Sequence, residues 1–184
     1  MKSGFPCQAI LLVAMVCLAA SLPGVAAGAE GPPNAPPKPP ELKVLDRLIG
    51  TWDDETVSRP ALWTPKELRG TSKIAREWVL AGRFVQQKSS NPDGSEMMVM
   101  HTYDAQKKAY RYWVFGSDGN SADATGQWNA AAQTLIWRTE LPDGMTGISS
   151  LHFIDADTKE WSLLIKDAAG RICVDMGGKS KRRK

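Results

Sequence analysis

The amino-acid sequence predicts an all-β protein, an antiparallel up-and-down barrel of about ten strands with one short N-terminal helix. Turn signals rich in Asp, Asn, Gly and Pro recur roughly every 12 to 14 residues after Gly50, and strand-sized segments lie between them. No segment after Gly50 has a helical pattern long enough for the crossover of a parallel sheet. Consecutive hairpins therefore form a meander, which we expect to close because closure removes its two exposed edges.

The first 29 residues are typical of a secretory signal peptide. Lys2 opens a short charged region, and an uncharged apolar stretch follows from Ala9 to Ala20. That stretch is too short to span a membrane, which needs about 20 apolar residues. Small residues then permit cleavage after Ala27 or after Ala29, and both sites stay open. We therefore predict a secreted or periplasmic protein without a transmembrane segment.

A proline-rich linker and a short helix are expected next. Residues 30 to 40 contain the run GPPNAPPKPP, which lacks the backbone donors for a helix or strand and favours extended geometry. From Glu41 to Ile49, apolar residues recur near helical spacing, at Leu42, Leu45, Leu48 and Ile49. This spacing predicts one short helix.

The segments between the turn signals are expected to be strands, the first three at residues 51–58, 70–80 and 83–89. Alternation is clear in the later segments, where three sets of apolar residues would each share a face: Leu151 with Phe153; Trp161, Leu163 and Ile165; and Ile172, Val174 and Met176. The predicted barrel domain spans residues 41–178.

The positive charge of the chain is concentrated at its C terminus. The chain has 23 Lys and Arg against 20 Asp and Glu, for a net charge of +3, but residues 41–178 carry 16 basic and 19 acidic side chains. We therefore predict a solvated basic tail at residues 179–184 that contacts anionic surfaces weakly. The slightly acidic domain offers no basis for a nucleic-acid partner.

Cysteine usage agrees with export. Cys7 and Cys17 would leave with the signal peptide, so the mature chain would keep only Cys173 and could form no intramolecular disulfide. No base is apparent beside Cys173 in the sequence, which favours a packed small side chain over a nucleophile.

A resemblance to a known group appears at the start of the domain. The segment from Leu45 to Trp52, LDRLIGTW, resembles the helix followed by Gly-x-Trp that begins calycin barrels, the group that contains lipocalins and fatty-acid-binding proteins. A longer series is similar to an uncharacterised family of exported bacterial calycin-like proteins, a domain of unknown function. The series comprises Gly82-Arg83-Phe84, Tyr103-Asp104 with Lys107-Lys108 and Tyr110, and Thr125-Gly126 before Leu135.

The resemblance covers residues 41–178 and implies structural roles but no established reaction. It implies that Gly50 and Trp52 are structural and that Trp52 plugs the narrow end of the barrel, against a late arginine such as Arg171. The sequence departs from the family pattern at Thr102, where a Gly commonly precedes the Tyr-Asp pair.

Motifs for catalysis and metal binding are missing from the sequence. It contains no HExxH, CxxC or GxSxG, and its two His and single mature Cys make a protein-only zinc site improbable. A haem ligand would need an inward His, and His152 is expected to face outward between Leu151 and Phe153. We therefore predict no catalytic residues, no metal and no cofactor.

A hairpin across Asp104 to Lys108 supplies the candidate ligand wall, with Tyr103 paired to Lys108 or Tyr110. Both registers give the same two faces. One carries Met97, Val99, His101, Tyr103, Tyr110, Tyr112 and Val114, and the other carries Met98, Met100, Arg111, Trp113 and Phe115. Either face is apolar enough to be buried, so the orientation stays open.

The two orientations predict different ligand-binding residues. An inward first face would place His101, Tyr103, Tyr110 and Tyr112 around a cavity, although His101 could instead bond to Tyr hydroxyls in a filled interior or face solvent. An inward second face would place Arg111 and Trp113 there, and Arg111 would suit an anionic ligand head.

The sequence favours an exported barrel that binds a small apolar or amphipathic ligand. The alternatives are an enzyme of the same fold, with His101 as acid or base, and an envelope interaction domain with a packed interior. Because no ordered set of acid, base and nucleophile is present, binding is preferred over catalysis.

Overall fold

Ten antiparallel strands form one closed barrel in the computed structural model, which describes residues 35–184. The strands are β1 (Gly50–Ser58), β2 (Leu68–Val79), β3 (Phe84–Ser90), β4 (Glu96–Asp104), β5 (Ala109–Gly116), β6 (Ser121–Asn129), β7 (Thr134–Glu140), β8 (Thr146–Phe153), β9 (Thr158–Lys166) and β10 (Ile172–Arg182). Each strand pairs with its neighbours in sequence, and β1 pairs with β10. The predicted all-β up-and-down barrel is confirmed. The predicted signal peptide and the first part of the linker lie outside the described residues.

A short helix closes one end of the barrel, as the sequence predicts. It is a 3₁₀ helix at Pro40–Leu48. Leu42, Leu45 and Leu48 are all buried, and their spacing of three residues matches the three residues per turn of a 3₁₀ helix. This geometry places the three leucines on one edge of the helix, facing the barrel interior. A second, three-residue 3₁₀ turn occurs at Pro142–Gly144. Within residues 35–184, no helix has the length and apolar character needed to cross a bilayer.

The apolar core fills the half of the barrel beneath this helix. Its buried members are Leu42, Leu45, Leu48, Val85, Tyr110, Ala124, Leu135, Trp137, Leu151 and Phe153. Hydrogen bonds fasten the helix to the strand ends: Trp78 Nε1 donates to Asp46 Oδ1 over 2.9 Å, and Tyr110 Oη donates to the Glu41 carbonyl over 3.0 Å. The opposite end of the barrel therefore provides access to the interior.

The C-terminal segment differs from the predicted basic tail at residues 179–184. β10 continues to Arg182 and pairs with β1 and β9 through this segment. Ser180 is 1% exposed, and the outward Lys179 lies 3.6 Å from Glu160 on β9. Arg183 lies 3.0 Å from Asp53 on β1. Acidic side chains on the flanking strands thus offset the charge repulsion that suggested a solvated tail. Weak contact of this segment with anionic surfaces stays a prediction.

Cys173 is a buried free thiol with 2% exposure, at the start of β10. His152 is exposed between the buried Leu151 and Phe153, as strand alternation predicts.

Candidate functional site

A cavity of about 590 Å³ occupies the part of the barrel interior that lies toward the open end. Strands β1 to β4 and β8 to β10 contribute to its wall. Its apolar lining consists of Ile74, Met97, Leu151, Trp161 and Met176. Its polar lining includes Asp54, Thr56, Ser72, Arg76, Gln87 and Ser89, and the β3–β4 turn at residues 91–93 borders its mouth. The site is therefore an apolar pocket with a polar inner region, a combination typical of small-molecule sites.

Arg76 lies at the inner part of this cavity. β2 runs from the mouth toward the closed end, and Ser72, Ile74 and Arg76 successively face the interior. Arg76 is 9% exposed, and its Nε donates to Gln87 Oε1 over 2.8 Å from the directly paired position on β3. Gln87 Nε2 donates onward to Ser89 Oγ over 2.9 Å. Burial lowers the pKa of Arg76 to about 10, although nearby Asp54 opposes the shift, so Arg76 is charged at neutral pH.

Asp54 provides the negative charge in the cavity wall. It is 3% exposed and accepts hydrogen bonds from Trp161 Nε1 at 2.9 and 3.1 Å, and from the hydroxyls of Ser180 and Thr56. Alternation along β1 explains its position, because the neighbouring Asp53 and Glu55 are exposed. Neutral donors therefore hold this carboxylate.

Trp52 is buried beside the end of the 3₁₀ helix, between two basic side chains. Its ring centroid lies 2.7 Å from Lys159 Nζ and 4.2 Å from Arg182 Cζ, and its Nε1 donates to the Leu48 carbonyl over 2.8 Å. Burial, and then the charge of Arg76, lower the pKa of Lys159 to about 5, so its amine is neutral at pH 7. Arg182 is therefore the cation on this ring.

Two details of the expected plug are now clear. Arg182, instead of the expected Arg171, packs on Trp52, because β10 continues past the predicted domain end. Arg171 pairs with Asp167 at 2.7 Å in an exposed turn. Gly50 has a φ of 114°, and the guanidinium of Arg182 lies so close that an added Cβ would be 2.6 Å from its Nη1. A residue with a side chain would be strained there and would collide with Arg182.

The β4–β5 hairpin turns its first face inward. Tyr103 pairs with Tyr110, one of the two expected registers. His101 is 7% exposed, and its ring centroid lies 5.9 Å from the rings of both Tyr112 and Trp137. Burial, and then Arg76, lower the pKa of His101 to about 3, so it is neutral at physiological pH. Neither of its ring nitrogens has a hydrogen-bond partner among residues 35–184.

The three predicted tyrosines occupy different depths of the interior. Tyr112 Oη lies 3.3 Å from Ser149 Oγ, and burial raises the pKa of Tyr112. Tyr103 and Tyr110 form an edge-to-face pair at 5.0 Å beneath the 3₁₀ helix. Burial raises the pKa of Tyr110 to about 12, with a further contribution from Glu41. The tyrosines thus face the interior, but neither they nor His101 is among the residues that line the cavity, and Tyr103 and Tyr110 belong to the closed end of the barrel.

Arg111 and Trp113 lie on the outer face of the barrel, because strand alternation points them away from Tyr110 and Tyr112. Arg111 Nη2 is 2.7 Å from Asp123 Oδ2, and the Arg111 guanidinium stacks 5.1 Å from the Trp113 ring centroid. They do not line the cavity, so the structure takes the first of the two expected orientations.

Arg76, Gln87 and Lys159 are buried polar residues that were not among the predicted site residues. A signal exists for two of them: Arg76 alternates with Ile74 and Trp78, and Lys159 alternates with Trp161 and further apolar residues, so each shares an apolar face. Gln87 has no such signal, since its contact with Arg76 depends on the β2–β3 register. Within residues 35–184, no cluster of three or more His, Cys, Asp or Glu side chains could hold a metal ion.

Solved structures share this calycin-type, lipocalin-like barrel fold. Rv2717c from M. tuberculosis has a TM-score of 0.58 and 13% identity, covering 80% of this chain and 100% of that chain. The S-type phycobiliprotein lyase CPES from Guillardia theta has a TM-score of 0.50 and 13% identity, and the match covers 77% of this chain and 92% of that chain. A protein of unknown function from the DUF3598 family, from Nostoc punctiforme, has a TM-score of 0.44 and 14% identity, and the match covers 76% of this chain and 48% of that chain.

The TM-scores of the first two structures show a common fold and nothing finer, and the third adds no support. No protein-family model matches the sequence, and no curated protein matches it. The resemblance to calycin barrels is therefore confirmed as a fold.

Proposed function

We propose that this protein is an exported barrel that binds a small apolar or amphipathic molecule in its cavity. The cavity itself is the observation that carries the proposal: about 590 Å³, open at one end, with Ile74, Leu151 and Met176 among its apolar lining. Export rests on the predicted signal peptide at residues 1–29.

The fold supports this proposal in a general way, since calycin-type barrels include ligand carriers. Fold alone does not establish a function, so the proposal depends on the residues and the size of the cavity. A cavity of this size counts against the alternative of a packed interaction domain. The lowered pKa of His101 counts against the enzyme alternative, because a His with a pKa of about 3 holds no proton to donate as a general acid near pH 7 and is also a weak general base.

Fluorescence titration with Nile red, a neutral apolar probe, tests the proposal. We expect saturable enhancement in the mature wild-type protein. Ser89→Phe should weaken probe binding at least about 10-fold, because Ser89 lines the cavity and a phenyl ring would fill part of it.

Ser90→Phe is the matched control, since Ser90 is the exposed neighbour on the same strand and alternation points it outward. Its affinity for Nile red should equal that of the wild type. Equal affinity in both variants, or no saturable binding by the wild type, would contradict the proposal.

A further inference from the structure

Several buried hydrogen-bond donors of the barrel interior lack an acceptor in the portion of the chain that the structure describes. Among residues 35–184, Arg76 Nη1, Trp137 Nε1 and Lys159 Nζ are buried without a hydrogen-bond partner. Buried polar groups in folded proteins normally have hydrogen-bond partners, so each of these donors lacks an acceptor that it would be expected to have. Arg76 is the one among them that both carries a charge and lines the cavity.

The carboxylate of Asp54 and the amide oxygen of Gln87, the acceptors beside Arg76 in the cavity wall, are already engaged. Asp54 accepts from Trp161, Ser180 and Thr56, and it forms no ion pair with Arg76 within the described part of the chain. Gln87 Oε1 accepts from Arg76 Nε, which fixes the guanidinium but leaves its charge without a contacting anion.

The other basic groups of the interior do not present a free charge to the cavity. Lys159 and His101 are neutral at pH 7, because burial lowers the pKa of the first to about 5 and of the second to about 3. Arg182 pairs with Asp157 at 3.1 Å near the closed end. Arg76 is therefore the interior cation available to a ligand.

We propose that the molecule bound in this cavity carries a carboxylate that accepts hydrogen bonds from the Arg76 guanidinium, while its apolar body extends along Ile74 and Met176 toward the mouth. This inference rests on the proposed function and names its ligand class. A hydrogen bond to Arg76 would be strong, since this side chain is shielded from bulk water.

A carboxylate fits this site better than a neutral or doubly charged head group. A neutral head would leave the buried guanidinium without an anion in contact, since Asp54 acts on it without forming an ion pair. A dianion would bring one charge more than Arg76 can neutralise, next to the carboxylate of Asp54 in the same wall.

Competition with Nile red at pH 8 tests this inference, using decanoate and decan-1-ol as ligands that differ in the head group. In the wild type we expect decanoate to bind about 10- to 100-fold more tightly than decan-1-ol, the range for one hydrogen bond to a charged group. In Arg76→Met the ratio of the two affinities should fall to about 1, because methionine has similar length and no charge.

Gln87→Glu provides a second variant that preserves the shape of the site. The new carboxylate would take the place of the amide 2.8 Å from Arg76 Nε and neutralise the guanidinium internally. The preference for decanoate should disappear here too. Arg111→Met is the matched control on the outer face, and its preference should equal that of the wild type.

The outcomes separate this inference from the proposed function. Saturable Nile red binding with no preference for decanoate, or a preference that survives Arg76→Met and Gln87→Glu, would overturn the carboxylate inference alone. Failure of wild-type protein to bind Nile red would overturn the proposed function and this inference together.

Discussion

Trp52 shows how single residues divide the barrel interior. Its indole is 1% exposed and packs between Arg182 and the uncharged amine of Lys159. The ring thus contacts the end of the apolar helix through its Nε1 and polar side chains through its face. A tryptophan suits this position because its broad face accepts a cation while its Nε1 binds the helix end at Leu48.

Lys159 makes the free energy of unfolding depend on pH. Its pKa is about 5 in the folded protein and 10.5 in an unfolded chain, so between these values the unfolded state holds a proton that the folded state lacks. Raising the pH from 7 to 9 should therefore stabilise the protein by about 1 kcal/mol per pH unit, and acidification should destabilise it. His101 also makes the protein less stable on acidification, but only below about pH 6.5, where the imidazole of the unfolded chain becomes protonated.

Urea unfolding at pH 7 and pH 9 measures this effect. Lys159→Met should remove most of the dependence, whereas Lys166→Met, which replaces an exposed lysine on the same strand, should retain it. If Lys159→Met shows the same pH dependence as the wild type, Lys159 titrates normally and the account of its burial is wrong.

The sequence identifies the residues of the site unevenly. Hairpin register predicts that His101 and Tyr112 share a face, and that face turns inward, but neither residue lines the cavity. Arg76 and Lys159 stand singly among alternating apolar residues, and a lone basic residue in a strand is more often solvated. Their burial depends on pairing between strands and across the barrel, which short-range patterns do not contain.

At the scale of elements, β10 is the strand whose end differs from the predicted domain boundary at residue 178. Its pairing with β1 brings Trp52 opposite Arg182, although the two residues are far apart in the sequence. Because no hairpin turn connects β1 and β10, the sequence does not indicate this register. Gly178 lies within the strand and permits close packing of Trp161, since an added Cβ would lie 2.7 Å from its Nε1.

Deletion of residues 179–184 tests this role of β10. The truncated chain would lose the Ser180 contact to Asp54, the Arg182 contact to Trp52 and half of the β1–β10 ladder. We expect a loss of at least about 3 kcal/mol in unfolding free energy, or failure to fold, because buried groups would lose their partners.

The double variant Lys179→Gln with Lys181→Gln removes two outward charges but retains the strand. It should cost less than about 1 kcal/mol, as expected for exposed ion pairs. If the truncated protein is as stable as the full-length protein, residues 179–184 do not contribute to the barrel and behave as the solvated tail that their charge predicts.

At the scale of the whole molecule, the turn spacing predicts the architecture and the contents of the barrel determine what it can do. The regular hairpins and the absence of crossover helices lead directly to a closed meander, so its fold class and helix position are predictable. The cavity is not, because its size depends on how side chains from seven strands meet inside the barrel.

The division of the interior suggests an orientation for a bound ligand. The leucines of the 3₁₀ helix and Trp52 fill the closed end, leaving the space between Arg76 and the mouth. A molecule with a charged head and an apolar body would therefore bind head first, with its body near Leu151, Met97 and Met176.

A crystal structure with a decanoate brominated at its terminal carbon tests the central claim of binding inside the barrel most directly, because bromine is located by anomalous scattering. We expect one bromine peak inside the barrel between Arg76 and the mouth, near Met97 or Met176. A peak confined to the outer surface, such as the groove beside Met98 and Phe115, or no bound ligand at saturating concentration, would contradict the account.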